Sequence, residues 1–146
     1  MAITSAICNT FKGELLEGKH NFASGGGHTF KIALFTSSAN LGASTTAYST
    51  SNEISNTSGS AYSAGGATLT SVTPTTDGTT AICDFSDVSY TSASFTANGC
   101  LIFNDSASGD PAVCAIAFGS DKTVTSGTFT IQFPAQTAGN AIVQIA

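Results

Sequence analysis

Residues 128–133, TFTIQF, decide the fold class because they alternate strictly between polar and apolar side chains. The apolar members are Phe129, Ile131 and Phe133. Successive side chains of a β-strand point to opposite faces, so a period of two predicts a half-buried strand. Residues 92–97, SASFTA, repeat the pattern with Ala and Phe on one face. Both stretches therefore indicate a β protein with one face of each strand against a core.

On both sides of these stretches, the same patterns and the turn residues between them divide most of the chain into short strands. The predicted strands are roughly 28–36, 66–73, 79–85, 92–98, 100–104, 112–118, 127–133 and 140–146. The predicted turns are PTTDG at 74–78, NG at 98–99, SGDP at 108–111 and SG at 126–127. Many short strands with this spacing predict a mainly β fold: one β-sandwich or jelly roll of about eight strands.

The N-terminal region predicts the only helix, over residues 3–18. Its apolar residues recur at every fourth position: Ile3, Ile7, Phe11 and Leu15. Gly13 weakens the middle of this helix, so packing of the apolar stripe has to stabilise it. The glycines at 25–27 predict a flexible hinge after it. We therefore divide the chain into an N-terminal helix and hinge (1–24) and a β-sandwich domain (25–146).

The composition excludes several classes of function. The 146 residues fit one domain; 41% are hydrophobic and 9% charged, and the chain has 20 Ser, 22 Thr and no Arg. With a net charge of −5 it lacks the basic surface of a nucleic-acid-binding protein. No stretch reaches the roughly 18 to 20 apolar residues of a membrane span. We therefore expect neither nucleic acid nor a membrane among the partners.

The N-terminus and the cysteines indicate synthesis and residence in a cytoplasm. Residues 1–12, MAITSAICNTFK, have no basic residue before their apolar part, so they do not resemble a signal peptide. The four cysteines form no C-x-x-C pair and lie among apolar or small residues: Cys8, Cys83, Cys100 and Cys114. We expect free, buried thiols rather than disulfides.

Residues 36–66 form a long polar tract in which Glu53 is the only charged side chain. Loops of this length in a compact domain are usually functional or act as arms. Because the cores of protein interfaces are depleted in charge, we interpret the tract as an uncharged arm laid across a neighbouring chain. The alternative is an ordinary polar loop. The apolar residues that the arm would contribute to the contact are Leu41, Tyr48, Ile54 and Tyr62.

No catalytic or metal site is predicted. The two histidines, His20 and His28, read as surface or hinge residues, and no G-x-S-x-G elbow or zinc-ligand cluster occurs. Residues 104–110, NDSASGD, are rich in oxygen ligands but lack the spacing of an EF-hand, so we interpret them as a turn. The chain is predicted to have no cofactor and not to be an enzyme; a hydrolase using a buried acid or Cys is the least favoured alternative.

Four long motifs resemble a group of small structural proteins from the virions of tailed bacteriophages. They are MAITSAICNTFKGELLEGKHNF (1–22), TFKIALFTSSANLGASTTAYSTSNE (29–53), GGATLTSVTP (65–74) and FGSDKTVTSGTFTIQFP (118–134). The resemblance implies a structural protein of the particle without enzymatic activity. Capsid cement or decoration proteins of this size can be jelly rolls that sit on the outer shell and bridge capsomers as dimers or trimers.

The expected function is therefore that of a capsid cement protein on the outer surface of the virion, assembled in the bacterial host cytoplasm. Its expected partners are the major capsid protein and copies of itself. The expected contact residues are Ile3, Ile7 and Phe11 of the helix together with the four apolar residues of the arm. The alternative is a tail-fibre, neck or receptor-binding module of the same kind of particle.

Overall fold

Two antiparallel sheets and one short helix near the N-terminus make up the fold, which confirms the predicted mainly β class and is consistent with a β-sandwich. The computed structural model describes residues 2–55 and 58–146. Its elements in chain order are β1 (Ala6–Ile7), α1 (Asn9–Leu16), β2 (Phe30–Phe35), β3 (Ala67–Thr68), β4 (Ser71–Asp77), β5 (Thr80–Phe85), β6 (Val88–Asn104), β7 (Ala112–Ile131) and β8 (Val143–Ile145). The larger sheet has the strand order β1-β7-β6-β2-β3 and the smaller has β4-β5-β8.

The dominant feature is the long hairpin of β6 and β7, where the sequence predicted four shorter strands. The Asn98-Gly99 and Ser126-Gly127 pairs, predicted as turns, lie inside these strands. Strand pairing shifts register near both glycines. The prediction of turns there was wrong because glycine in a strand also marks a bulge or a close approach of another group.

The helix is shorter than predicted and begins at Asn9 rather than at residue 3. The preceding residues are extended: Ala6 and Ile7 pair with Ala115 and Cys114 of β7. The backbone N–H of Cys8 also donates to the carbonyl of Val113, at 2.9 Å. The backbone groups of residues 6–8 therefore form hydrogen bonds with the open edge of β7 instead of with one another in a helix. The four-residue apolar period of the sequence does not show that such a strand edge is available.

The N-terminal segment packs on the same core as the sheets. The ring of Phe22 stacks on that of Phe30 in β2, with centroids 4.3 Å apart. The predicted glycine hinge is a closed loop with a turn at residues 24–26, and the N–H of His28 donates to the carbonyl of Asn21 across it, at 2.8 Å. A Cβ on Gly27 would lie 2.0 Å from the carbonyl oxygen of Ala23, so this loop requires glycine.

Candidate partner-binding surface

The structure places the predicted contact residues of the N-terminal region against the core of their own chain. Phe11 is buried, with its ring 4.8 Å from that of His20. Ile3 is buried beside Leu41, with which it forms an isolated parallel bridge. Ile7 is half-buried and packs on the same core. Ile3 and Phe11 therefore expose almost no surface to a partner, whereas Ile7 is partly exposed, and the partner contact predicted for these residues stays a prediction.

The four predicted contact residues of the arm also pack on their own domain. Tyr48 stacks on Phe103 of β6 with ring centroids 4.4 Å apart, and Leu41 is half-buried against the core. Ile54 is buried, and its N–H donates to the carbonyl of Leu34 at 3.0 Å. Tyr62 is almost completely buried. The structure thus assigns these side chains to intramolecular packing.

Glu53, the single charge of the tract, joins three parts of the tract to one another through its carboxylate. Its Oε2 accepts a hydrogen bond from the Tyr48 hydroxyl at 2.7 Å. Its Oε1 accepts from the Tyr62 hydroxyl at 2.6 Å and from the N–H of Gly65 at 2.8 Å. Burial, reinforced by donation to this carboxylate, raises the pKa of both tyrosine hydroxyls. Each tyrosine therefore stays protonated at neutral pH and acts as a donor.

The described parts of the tract, residues 36–55 and 58–66, therefore lie along the chain's own strands rather than extending away as an arm. Further backbone bonds hold them there: the N–H of Tyr48 donates to Asp110, and that of Ala112 donates to Thr46. The Tyr62 hydroxyl also accepts from the N–H of Leu34 in β2.

The cysteines are free and buried, which confirms the prediction of unpaired thiols. Burial, with the Glu14 carboxylate adding to it, raises the pKa of the Cys8 thiol to about 11. Burial likewise raises the pKa of Cys83, next to Asp84, and of Cys100 to about 12, and the pKa of Cys114 well above its ordinary value. Because the thiolate is the nucleophile, these thiols are unreactive at neutral pH in this conformation.

A hydrogen-bonded cluster joins the end of β6 to the N-terminal region. Nδ2 of the buried Asn104 lies 3.1 Å from Nδ1 of His20 and 2.9 Å from Nδ1 of His28. The amide nitrogen donates in both bonds, because its oxygen accepts two backbone N–H groups of the following turn. Nε2 of His20 then donates to Glu14, at 2.8 Å. The prediction that His20 is a surface or hinge residue was wrong: it is buried.

Glu14 carries the charge of this cluster. Burial raises its pKa, but hydrogen bonds from His20 and Lys19 together with the charge of Lys19 outweigh burial, so the pKa lies below its ordinary value. Lys19 Nζ is 3.0 Å from Oε1 of the same carboxylate. The cluster fastens the end of α1 to the β6–β7 turn. Within residues 2–55 and 58–146, no three His, Cys, Asp or Glu side chains are grouped to hold a metal ion.

The turn at 104–110 behaves as the predicted connection between strands. It joins β6 to β7, and Gly109 and Asp110 both have positive φ, at 84° and 49°. The carboxylate of Asp105 lies 3.6 Å from Lys31 Nζ, so it pairs with a cation of the protein itself.

The outer half of the β6–β7 hairpin, which we define as residues 88–98 and 117–131, extends beyond β2. The last pair between β2 and β6 is Phe35 with Gly99. Pairing of β7 with β1 is restricted to Cys114 and Ala115, so in the described structure no strand covers the edge of β7 in the outer half. This half therefore offers backbone groups along a free edge.

The two faces of the outer half differ in chemistry. One face carries cross-strand polar pairs at 2.8–2.9 Å, namely Ser89 with Thr130, Thr96 with Thr123, and Asn98 with Asp121. The other face carries aromatic rings, with Phe95 and Phe129 centroids 5.0 Å apart and Phe118 and Phe129 6.2 Å apart. The alternation that predicted the strands is therefore observed, with hydroxyls outward.

An open apolar groove of about 700 Å³ follows β7 on the aromatic side. Its main apolar lining residues are Ile116, Phe118, Phe129, Ile131, Phe133 and Ile142. Among the described residues that line it, Lys122 is the only charged one. The sequence predicted Phe129, Ile131 and Phe133 as an apolar face, but periodicity does not show whether another element covers such a face. The structure leaves this face half-exposed, which makes the groove the best candidate surface for a partner.

Comparison of the chain with models of protein families, with curated proteins and with solved structures finds no match. None of the helices in the described residues has the length and apolar character needed to cross a bilayer. The resemblance of the sequence motifs to tailed-phage virion proteins accordingly stays a prediction.

Proposed function

We propose that the chain is a structural protein of a tailed-phage virion: a cement or decoration protein that binds the outer capsid shell and bridges neighbouring capsomers. The observation that supports this function best is the apolar groove of about 700 Å³ beside the free edge of β7. Exposed apolar surface of this kind, on a chain with few charges, is typical of a site that another protein covers.

The groove and the strand edge would bind a shell protein in complementary ways. Side chains of the shell that enter the groove would bury Phe118 and Phe129, and hydrophobic burial supplies most of the favourable free energy of such contacts. A strand of the shell could also add to the free backbone groups of β7. Neither mode needs ionic groups, which fits a surface whose polar side chains are mainly hydroxyls.

Repetition over the shell would convert modest contacts into tight binding. Each capsomer offers equivalent sites, so a cement oligomer that holds two of them gains from a high effective concentration. Bridging then opposes movement of one capsomer relative to the next, because rupture exposes the buried groove. The proposed partners are thus the major capsid protein and other copies of this chain.

A tail-fibre, neck or receptor-binding module of the virion is the second candidate. The hydroxyl pairs on the outer face, such as Thr96 with Thr123, favour it because rows of hydroxyls suit contact with a host polysaccharide. Copy number separates the two candidates: hundreds of copies per particle indicate cement, and a handful indicates a tail component.

The proposal can be tested with particles assembled with and without the chain. Particles that lack it should rupture at lower temperature and in milder osmotic shock than complete particles. Adding the purified protein back should restore resistance. Equal resistance of the two kinds of particle would contradict the cement function.

The groove is tested separately by adding back Phe129→Asp and, as a matched control, Thr130→Asp. Phe129 lines the groove, and Thr130 belongs to the hydroxyl face, so both variants introduce the same carboxylate on adjacent residues. Phe129→Asp should lose most of its occupancy on the particles while Thr130→Asp keeps it, provided that circular dichroism shows both folded. Full occupancy of the folded Phe129→Asp variant would exclude the groove as the contact.

A further inference from the structure

A polar pocket of about 580 Å³ lies within the tract, and the described residues that line it all fall between 35 and 52. Its volume is in the range of about 300–1,000 Å³ that is typical of small-molecule sites. None of these lining residues is charged, and the carboxylate of the neighbouring Glu53 is bonded to other groups of the tract. A charged ligand would find no opposite charge here, so the lining favours a neutral ligand.

Most polar side chains of this pocket have no hydrogen-bonding partner within residues 2–55 and 58–146. Two of the lining hydroxyls fix the loop itself: Thr45 accepts from the N–H of Gly42 at 3.0 Å, and Ser49 accepts from the N–H of Ser51 at 3.2 Å. The polar lining side chains that bond to no described residue are Asn40, Ser44, Thr46, Ser51 and Asn52. On the outer half of the hairpin, in contrast, hydroxyls bond to one another in cross-strand pairs. The pocket therefore keeps its donors and acceptors available to a ligand.

The available groups can both donate and accept hydrogen bonds. A carboxamide supplies two donors and an acceptor, and a hydroxyl supplies one donor and two acceptor lone pairs. The hydroxyl groups of a neutral sugar have the same double capacity and carry no charge. Leu41, which is half-buried, and Phe35, which is buried, add apolar surface to the lining. Such a mixed lining suits a pyranose ring, because its faces present C–H groups and its edge carries hydroxyls.

Other parts of the chain hold the loop of this pocket in place. The N–H of Thr4 donates to the carbonyl of Leu41 at 2.8 Å, which fastens the loop to the N-terminal segment. The N–H of Thr36 donates to the carbonyl of Asn52 at 2.9 Å. Asn52 has a positive φ of 62°, a conformation in which asparagine is enriched among residues other than glycine. Because these bonds order the loop before a ligand arrives, binding does not have to order it.

We propose that this pocket binds a neutral oligosaccharide. The carboxamides of Asn40 and Asn52 and the hydroxyls between them in sequence bond to the sugar hydroxyls, and Leu41 packs against the ring. The described lining has no charge and no exposed aromatic ring, so binding should be weak, with a dissociation constant of about 1 mM. The proposal does not depend on the virion function and does not use the groove along β7.

Titration of the ¹⁵N-labelled full chain tests the class of ligand. The neutral probes are maltotriose, cellotriose, mannotriose and triacetylchitotriose, each added to about 20 mM, and trigalacturonate is the charged comparator. At least one neutral probe should give saturable shifts in the amide signals of residues 40–52, and trigalacturonate should give none there. The proposal is overturned if all four neutral probes leave these signals unchanged. Shifts confined to the outer half of the hairpin, or equally tight binding of the charged probe, would overturn it as well.

The Phe129→Asp variant separates this proposal from the capsid contact. Phe129 lines the β7 groove and is not among the lining residues of the polar pocket, so the variant should bind the best trisaccharide like the unmodified chain. Loss of capsid occupancy with unchanged sugar binding concerns the capsid contact alone. A chain that occupies the capsid but binds no sugar would overturn the sugar site alone.

Removal of one hydroxyl at each of two positions in the tract tests where the sugar lies. Thr46 lines the pocket, whereas Thr50 is exposed in the same loop and is not among the lining residues. Valine keeps the shape of threonine and the backbone carbonyl that each residue uses as an acceptor. Thr46→Val should weaken binding of the best probe about three- to tenfold through the loss of a hydrogen bond, and Thr50→Val should leave binding unchanged. Unchanged affinity of Thr46→Val, or an equal loss in both variants, would overturn the proposed position.

Asn52→Asp tests the requirement for a neutral lining. Aspartate, like asparagine, is enriched at positive φ, so the loop should keep its conformation while the carboxamide donors are replaced by a charge. Asn21→Asp is the matched control: it adds the same charge outside the pocket, and its oxygen can still accept from the N–H of Ala23. Asn52→Asp should weaken binding of the best probe about tenfold, and Asn21→Asp should not, with circular dichroism showing both folded. A folded Asn52→Asp variant that binds as tightly as the unmodified chain would remove Asn52 from the site and contradict the proposal.

Discussion

The two halves of the β6–β7 hairpin differ in burial and in neighbouring strands although the same two strands run through both. In the inner half, residues 99–104 of β6 lie between β2 and β7 and are fully buried. In the outer half, residues 88–98 and 117–131 are mostly exposed or half-exposed, and strand pairing shifts register twice within it and once at its boundary with the inner half, against one shift inside the inner half. The sheet that builds the core thus continues into a bulged two-stranded extension.

The difference follows from the composition of the two halves and indicates that they have different roles. The inner half reads GCLIFN and AVCAI, nearly continuous apolar runs that suit burial on both faces. The outer half reads SASFTA and KTVTSGTFTI, in which apolar residues alternate with hydroxyls. Because hydrophobic burial dominates folding free energy, we infer that the inner half stabilises the fold and that the outer half is available for a partner.

The largest effect should come from the same truncation made in the two regions. Phe103→Ala removes a fully buried ring of the inner half that stacks on Tyr48, and should lower the free energy of unfolding by about 3–5 kcal/mol. Phe129→Ala removes a half-buried ring of the outer half and should cost about 1–2 kcal/mol. Urea denaturation measures both. Equal costs would contradict the division between the two halves.

A smaller effect should come from adding one methyl group in each half. Gly99 stands where the inner half begins, and a Cβ there would lie 2.6 Å from the carbonyl oxygen of Ile116 and 2.7 Å from Cδ1 of Ile3. Gly99→Ala should therefore destabilise the fold by about 2 kcal/mol through overpacking.

Gly127→Ala is the matched substitution in the outer half. Its nearest neighbour, Cγ2 of Val124, would be 3.4 Å from the new Cβ, and the backbone there is not left-handed. We expect a change within about 0.5 kcal/mol. Thermal melting of both variants checks the pair, and a larger loss for Gly127→Ala would show that the outer half is as tightly packed as the inner half.

Sequence periodicity predicted the fold class and most strand positions because a period of two depends only on local geometry. It divided β6 and β7 wrongly because Asn98-Gly99 and Ser126-Gly127 have the composition of turns. Whether a glycine ends a strand or bends it depends on what packs against it, here Ile3 above Gly99. That contact joins distant parts of the chain, so no local pattern reports it.

The candidate contact residues were harder to predict for the same reason. An apolar side chain in a polar tract, such as Tyr62, indicates that something buries it but not whether that is the same chain or another. The carboxylate that receives its hydroxyl, Glu53, is nine residues away in sequence. The contact of His20 with Asn104 spans 84 residues. Only the pairing of the strands brings these groups together.

The smallest expected effect is a difference between the two halves in how their contribution to the free energy of unfolding depends on pH. The inner half ends at a titratable cluster, in which His20 and Lys19 bond to Glu14 and keep its pKa below the ordinary value of 4.5. A carboxylate with a lowered pKa in the folded state stabilises the fold above its unfolded pKa, and the contribution is lost as the pH falls through the folded pKa. The polar pairs of the outer half, such as Thr96 with Thr123, have no charge to lose.

Glu14→Gln and Thr96→Val should therefore respond differently to acid. The unmodified chain should be more stable than Glu14→Gln at pH 7 and at pH 5, and the difference in unfolding free energy should shrink once the pH falls below about 4.5. The difference in unfolding free energy between the unmodified chain and Thr96→Val should be the same at each pH. Denaturant titrations from pH 7 down to pH 3 measure both. If the difference in unfolding free energy between the unmodified chain and Glu14→Gln grew at low pH, the carboxylate would not be the stabilising form of Glu14. The cluster would then not be what fastens the inner half to α1.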